Sequence, residues 1–75
     1  MLVECVYSYF GDIYDAGLKK NKWVEFCPLT QFNICDCEEL KSVSVLSGEY
    51  KGNSFALTEE QFNYSIKKGK LRIIK

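Results

Sequence analysis

The chain has no histidine, a single proline and no excess of charge of either sign. The missing histidine removes the side chain that serves most often as a general base and as a metal ligand. Ten lysine and arginine residues balance ten acidic residues, for a net charge of zero. This balance argues against a nonspecific nucleic-acid binder, which carries positive charge, and against a DNA mimic, which needs an acidic excess to imitate phosphates.

Sequence motifs of catalytic sites are missing as well. The chain contains no G-x-S-x-G, no glycine-rich phosphate loop and no H-E-x-x-H. A domain of this length also has little room for a pocket of ~300 Å³ or more with a supporting shell of side chains. We therefore expect a protein that is not an enzyme and that uses no cofactor.

Long apolar runs are absent. No stretch approaches the ~20 apolar residues that cross a bilayer, and the first residues lack the basic and apolar regions of a signal peptide. We therefore expect a cytoplasmic protein without a membrane partner, whose cysteines are reduced thiols. The chain has four cysteines, Cys5, Cys27, Cys35 and Cys37. They leave a zinc-stabilised domain as an alternative, although structural zinc sites use paired C-x₂₋₄-C knuckles and this chain has one C-x-C and two single cysteines.

The last third of the chain predicts a strand, a capped helix, a glycine stop and a second strand. Thr58 and Gln61 have the spacing of a capping box, which satisfies two backbone N–H groups at a helix start. The helix is predicted over 59–68. Gly69 then suits the left-handed conformation that ends many helices, and 71–74 follows as a short apolar strand.

The first two thirds predict mainly strands. Alternating apolar residues indicate one strand over 2–10 and another over 22–27, joined by a loop or wide hairpin over 11–22. Residues 40–57 give the clearest hairpin, and 29–39 fit a helical turn or a loop.

Together these elements predict one α+β domain over residues 1–75. It contains a small, twisted, antiparallel sheet of four to five strands, with the helix on one side. A partly closed SH3-like barrel is one form that we consider for this sheet.

Aromatic side chains are more numerous than one small core holds. The chain has five tyrosines, five phenylalanines and one tryptophan, of which the hairpin and helix have room to bury Phe26, Phe55 and Phe62. Tyrosine and tryptophan at a surface are typical anchors of protein interfaces. We therefore predict a surface that binds a partner protein or a second copy of the chain. The candidate contacts are Tyr9, Tyr14, Trp23, Tyr50 and Tyr64.

A basic cluster near the C-terminus provides an alternative function. It consists of Lys67, Lys68, Lys70 and Arg72. A basic face with exposed aromatic rings is typical of proteins that bind single-stranded nucleic acid. The other interpretation is a solvated helix end, followed by an edge strand whose lysines block aggregation.

In overall character the chain resembles small proteins encoded by bacteriophages and mobile elements. Shared traits are the short chain, the compact α+β fold, the absence of a catalytic signature and the many aromatic residues expected at the surface. Proteins of this kind, anti-CRISPR proteins among them, often bind and block a host RNA polymerase, nuclease or CRISPR effector complex. The resemblance involves no particular residues. It implies an inhibitor in the host cytoplasm, and the neutral charge favours a steric block over DNA mimicry.

Overall fold

The computed structural model describes all residues from Met1 to Lys75, which form seven strands and one helix. The elements are β1 (Leu2–Cys5), β2 (Tyr9–Asp15), β3 (Lys20–Phe26), β4 (Gln31–Cys37), β5 (Leu40–Val45), β6 (Ser54–Thr58), α1 (Glu59–Lys67) and β7 (Leu71–Ile73). The predicted α+β class, with an antiparallel sheet and one helix near the C-terminus, is confirmed.

Five of the strands form the main sheet, in the order β6-β5-β4-β1-β7, with every neighbouring pair antiparallel. The strands β2 and β3 form a separate hairpin. They pair only with each other and do not join β6 to β7, so the main sheet stays open. The SH3-like barrel is therefore wrong. The hairpin lies beside β6, and α1 packs against β5, β6 and β7.

Alternation along the strands of the main sheet directs one row of side chains into the core. Val43 and Val45 on β5 are 1% and 2% exposed. Above them pack Phe26 from the hairpin and Phe32 and Phe55 from the main sheet, with ring centroids 5.1 to 6.0 Å apart. Full burial of one such side chain stabilises a fold by about 1.5–3 kcal/mol, so these rings fix the hairpin on the sheet.

The first predicted strand, over 2–10, is interrupted. β1 ends at Cys5, whose carbonyl accepts the backbone N–H of Leu29 at 2.8 Å, and β2 begins at Tyr9. In an unbroken strand over 2–10 the side chain of Tyr7 would share a face with that of Cys5, but it lies in the connection and is 67% exposed.

Of the two alternatives predicted for 11–22, a loop or a wide hairpin, the structure has the hairpin, with β2 and β3 paired on either side of a short turn. Gly11 lies inside β2, where the hairpin approaches the main sheet. A Cβ atom at this position would lie 2.9 Å from the Phe26 ring and 3.1 Å from the Phe55 ring. This glycine therefore marks a close approach and not a turn. The actual turn follows β2, where the Asp15 carboxylate accepts two backbone N–H groups.

Residues 29–39, assigned to a helical turn or a loop from the sequence, contain the central strand β4. Leu29 has a φ of 71°, and the Thr30 hydroxyl donates to the Cys27 carbonyl at 2.7 Å, which together reverse the chain before β4. Glu38 has a φ of 57° in the short turn that leads into β5.

Both ends of α1 have the predicted structure. The N–H of Gln61 donates to the Thr58 hydroxyl at 3.0 Å, and the Gln61 side chain accepts the N–H of Thr58 at 2.9 Å, which confirms the capping box. Gly69 has a φ of 73° just beyond the helix. The buried face of α1 consists of Phe62 and Ser65. No helix in the structure has the length and apolar character that crossing a membrane requires.

Candidate partner-binding groove

An open groove of about 700 Å³ lies between the β2–β3 hairpin and α1. Its floor is the buried pair Tyr9 and Ser65, and its walls carry the exposed rings of Phe10 and Trp23 from the hairpin and Tyr64 from the helix. We name this feature the aromatic groove. The prediction that so short a chain has little room for a pocket is wrong, because this space lies between the hairpin and the helix and not inside the core.

The hairpin wall follows from strand alternation. Tyr9 points into the core, so the next residue, Phe10, points outward. In the ladder Phe10 faces Glu25 and Asp12 faces Trp23, which makes Phe10 and Trp23 diagonal neighbours on the outer face. Their rings stack with centroids 6.1 Å apart and planes 7° apart. They are nevertheless 47% and 68% exposed, so the stack presents apolar surface to water.

The floor of the groove connects its two walls. The hydroxyls of Tyr9 and Ser65 are 2.8 Å apart, and Ser65 donates to the Gln61 carbonyl at 3.0 Å. Tyr9 is therefore the donor to Ser65. Burial raises the pKa of Tyr9 above its ordinary value of 10.0, and its hydrogen bond with Ser65 opposes part of that rise. The structure corrects the prediction that Tyr9 is an exposed contact, since its ring is 7% exposed.

The other predicted contacts divide into three groups. Trp23 and Tyr64 come together in the aromatic groove. Tyr14 is 57% exposed on the hairpin but does not line the groove. Tyr50 is half-buried, with its ring packed edge-on against Phe26 at 5.7 Å, so it is not the free surface ring that we expected.

Phe10 was missing from the predicted contacts. The signal that identifies it is its place between two inward positions of β2, and that signal depends on recognising β2 as a strand. The residues after Phe10 resemble a loop, so the predicted strand ended at Phe10. The alternation of inward and outward side chains was therefore not continued past it, and Phe10 was not assigned to either face.

The helix wall carries charge as well as an aromatic ring. The ammonium groups of Lys68 and Lys70 lie 5.8 and 5.4 Å from the centroid of the Tyr64 ring. Such contacts stabilise by about 0.5–1 kcal/mol at exposed sites. Glu60 stands one helical turn before Tyr64 on the same face and also lines the groove, as Lys70 does. Along the helix wall, the acidic Glu60 is therefore followed by the ring of Tyr64 and then by the basic Lys70.

The four basic residues of the nucleic-acid alternative do not act alike in the structure. Lys68 and Lys70 lie over one ring, Lys67 is exposed on α1, and Arg72 forms an ion pair with Glu4 on the neighbouring strand. Of the four, only Lys70 lines the aromatic groove. Nucleic-acid binding stays a prediction, with the charge of Arg72 already matched inside the protein.

The cysteines are dispersed. Cys5 is buried and its thiol donates to the Cys27 carbonyl at 2.9 Å. Burial raises the pKa of the Cys5 thiol above its ordinary value of 9.0. Cys27, Cys35 and Cys37 are exposed, and no group of three or more cysteine, aspartate or glutamate side chains is placed to hold a metal ion. The zinc alternative therefore has no set of ligands in this fold.

The chain matches no protein-family model, no curated protein and no solved structure. No relative therefore supplies a role for any residue. The aromatic groove and its charges are the basis on which a function is argued.

Proposed function

We propose that the protein is a non-catalytic binding module that holds a partner protein in the aromatic groove. The observation that carries this proposal is the exposed stack of Phe10 and Trp23 opposite Tyr64. Burying one such large side chain is worth about 1.5–3 kcal/mol, a gain that these rings leave unrealised in the free protein. Tryptophan and tyrosine also dominate the energetics of known interfaces.

The groove is built on regular elements, which suits a binding surface. Its walls come from a paired hairpin and a capped helix, and the Tyr9–Ser65 hydrogen bond joins them beneath the rings. A surface that is already ordered loses little conformational freedom on binding, so more of the contact energy appears as affinity. The volume of about 700 Å³ lies within the range of known ligand pockets, roughly 300–1,000 Å³.

The charges favour a protein over a nucleic acid as the occupant. A phosphate backbone placed over Tyr64 would gain from Lys70 but would be repelled by Glu60, which lines the same wall. The protein as a whole adds no attraction, because its net charge is zero. In keeping with the resemblance to phage-encoded proteins, we propose a steric block of a host protein in the cytoplasm. Free thiols are usual in that compartment.

The test compares two exposed aromatic residues. Trp23 lines the groove and is 68% exposed, whereas Tyr7 lies outside it and is 67% exposed. Immobilised wild type, Trp23→Ala and Tyr7→Ala are each incubated with a nuclease-treated bacterial lysate. We expect one stoichiometric protein on the wild type and on Tyr7→Ala, and its loss from Trp23→Ala. With the purified partner, Trp23→Ala should weaken binding by about 30-fold or more, as expected for an interface hot spot.

Thermal melts by circular dichroism show whether each variant is folded. A folded Trp23→Ala variant that retains the partner as well as the wild type does would refute the groove as the binding site. The same capture from an untreated lysate is the comparison, and binding seen there but lost after nuclease treatment would instead support the nucleic-acid alternative.

A further inference from the structure

Opposite charges stand on the two sides of Tyr64 along the helix wall. Glu60 lies one turn before this ring, and Lys70 follows it. These two side chains are the charged residues among those that line the aromatic groove. The groove therefore has an acidic end and a basic end, with aromatic rings between them.

The separation of the two charges follows from helix geometry. From Glu60 to Lys67, α1 rises by seven steps of 1.5 Å, or about 10 Å. Beyond the helix the chain turns back, because the N–H of Lys70 donates to the Ser65 carbonyl at 2.9 Å. The two charges are thus on the order of 10 Å apart along the helix axis. An extended peptide covers that length in about three residues, at ~3.3 Å each.

The middle of the groove suits flat apolar side chains. Phe10 and Trp23 form one wall and Tyr64 the other, as in grooves that take up extended or proline-containing peptides. The indole N–H of Trp23 and the hydroxyl of Tyr64 are also donors for the carbonyl groups of such a peptide.

We propose that the occupant is an extended segment of the partner protein with a basic and an acidic residue about three positions apart. Apolar residues, proline or aliphatic, lie between them against the rings. The basic residue faces Glu60 and the acidic residue faces Lys70. This inference rests on the proposed function of the groove. A segment with two acidic ends would place one of them against Glu60, and a segment with two basic ends would place one against Lys70.

The test uses synthetic fluorescent peptides that share one proline–leucine core. Their ends are basic and acidic, both acidic, both basic, or uncharged. Fluorescence anisotropy measures their binding to the wild type, Glu60→Lys and Lys70→Glu. Glu59→Lys is the matched control, because it makes the same charge reversal in the first turn of α1 but at a position outside the groove.

The wild type is expected to prefer the peptide with one basic and one acidic end by about three- to tenfold, or up to 1.4 kcal/mol. Glu60→Lys should shift the preference to the doubly acidic peptide and Lys70→Glu to the doubly basic one. Glu59→Lys should retain the wild-type order. Each preference should weaken with added salt, which screens exposed charges.

The outcomes separate this inference from the proposed function. If peptide binding requires Trp23 but does not depend on the charges at the peptide ends, the groove remains the proposed binding site and the inferred charge preference is wrong. If a whole partner requires Trp23 and no peptide binds, the occupant is not an extended segment. Equal shifts of peptide preference in Glu59→Lys and Glu60→Lys would also overturn the inference. A dimer in sedimentation experiments whose second copy fills the groove would overturn it as well. Peptide binding that is unchanged in Trp23→Ala contradicts both proposals.

Discussion

The β2–β3 hairpin lies close against the Phe55 ring of the main sheet at Gly11. A methyl group at this position would meet the Phe26 ring at 2.9 Å and the Phe55 ring at 3.1 Å. Both rings are buried in the core, at 2% and 8% exposure. Gly11→Ala must therefore lift the hairpin or tilt both rings.

The magnitude follows from two opposing effects. Overpacking a core by one methyl group costs about 1–3 kcal/mol, whereas replacing glycine by alanine inside a strand returns about 0.5–1 kcal/mol. The difference between these ranges is a net destabilisation of about 0–2.5 kcal/mol, centred on ~1 kcal/mol, out of a total of about 4–11 kcal/mol for a domain of this length. A destabilisation of about 1 kcal/mol should lower the melting temperature by about 4–8 °C. If Gly11 were an ordinary loop residue, the same change would stabilise the protein by about 0.4–1 kcal/mol.

Thermal and urea unfolding, followed by circular dichroism, show whether Gly11→Ala destabilises or stabilises the protein. Gly17→Ala is the control, because a methyl group there meets only the exposed carboxylate of Asp15, at 3.2 Å. Gly11→Ala combined with Phe55→Leu should cost less than the sum of the two single changes, since the smaller side chain leaves room for the methyl group. A Gly11→Ala variant as stable as Gly17→Ala would show that the hairpin does not pack on the sheet at this point.

Three further predictions concern the cap, the thiols and the floor of the groove. Thr58→Ala should lower the free energy of unfolding by about 1 kcal/mol, measured in urea, and Thr58→Ser should largely restore it. Three exposed thiols should react rapidly with an aromatic disulfide reagent, and Cys5, buried and with a raised pKa, only after unfolding; four rapid reactions would contradict the burial of Cys5. The raised pKa of Tyr9 contributes stability that is fully present below pH 10.0. This stability is lost as the pH rises further, because the unfolded chain gives up its proton first. Tyr9→Phe should cost about 0.5–1.5 kcal/mol at neutral pH and reduce the alkaline loss, and an unchanged alkaline slope would contradict this assignment.

The parts of the fold that the sequence predicts correctly are specified by short-range contacts. The capping box joins Thr58 to Gln61, and Gly69 ends the helix through its own backbone conformation. The hairpin of β5 and β6 is likewise a pairing of adjacent segments. Such signals can be recognised because the residues that interact are close together in the sequence.

The hairpin of β2 and β3 was predicted only as one alternative to a loop, and the extent of its strand pairing was not predictable on the same grounds. Gly11 resembles a turn residue locally, and its packing role depends on rings that arrive from β3 and β6. The chain reversals before and after β4 place Leu29 and Glu38, which are not glycine, at positive φ. Residue type gives no indication of such turns.

Part of the candidate site was predictable from composition. The surplus of aromatic residues pointed to Trp23 and Tyr64, which are exposed in the structure. The number of aromatic residues predicted to lie at the surface was nevertheless too high. The prediction assumed the core of a single sheet, whereas the hairpin adds a second layer in which Tyr9 is buried and Tyr50 is half-buried. That Trp23 and Tyr64 face each other depends on the position of this second layer, which no local pattern indicates.

The two faces of β2 contribute to the core and to the aromatic groove. Along β2 the inward side chain of Tyr9 supports α1 through Ser65, and the outward side chain of Phe10 stacks on Trp23. Substitutions at the floor should therefore change stability and binding together, because the Tyr9–Ser65 bond sets the spacing of the walls. Substitutions at the exposed rings remove contact surface without opening the core, so their effect should fall mainly on binding. A partner whose affinity depended on the floor but not on the walls would be recognising the fold elsewhere, and the aromatic groove would then be a consequence of strand alternation alone.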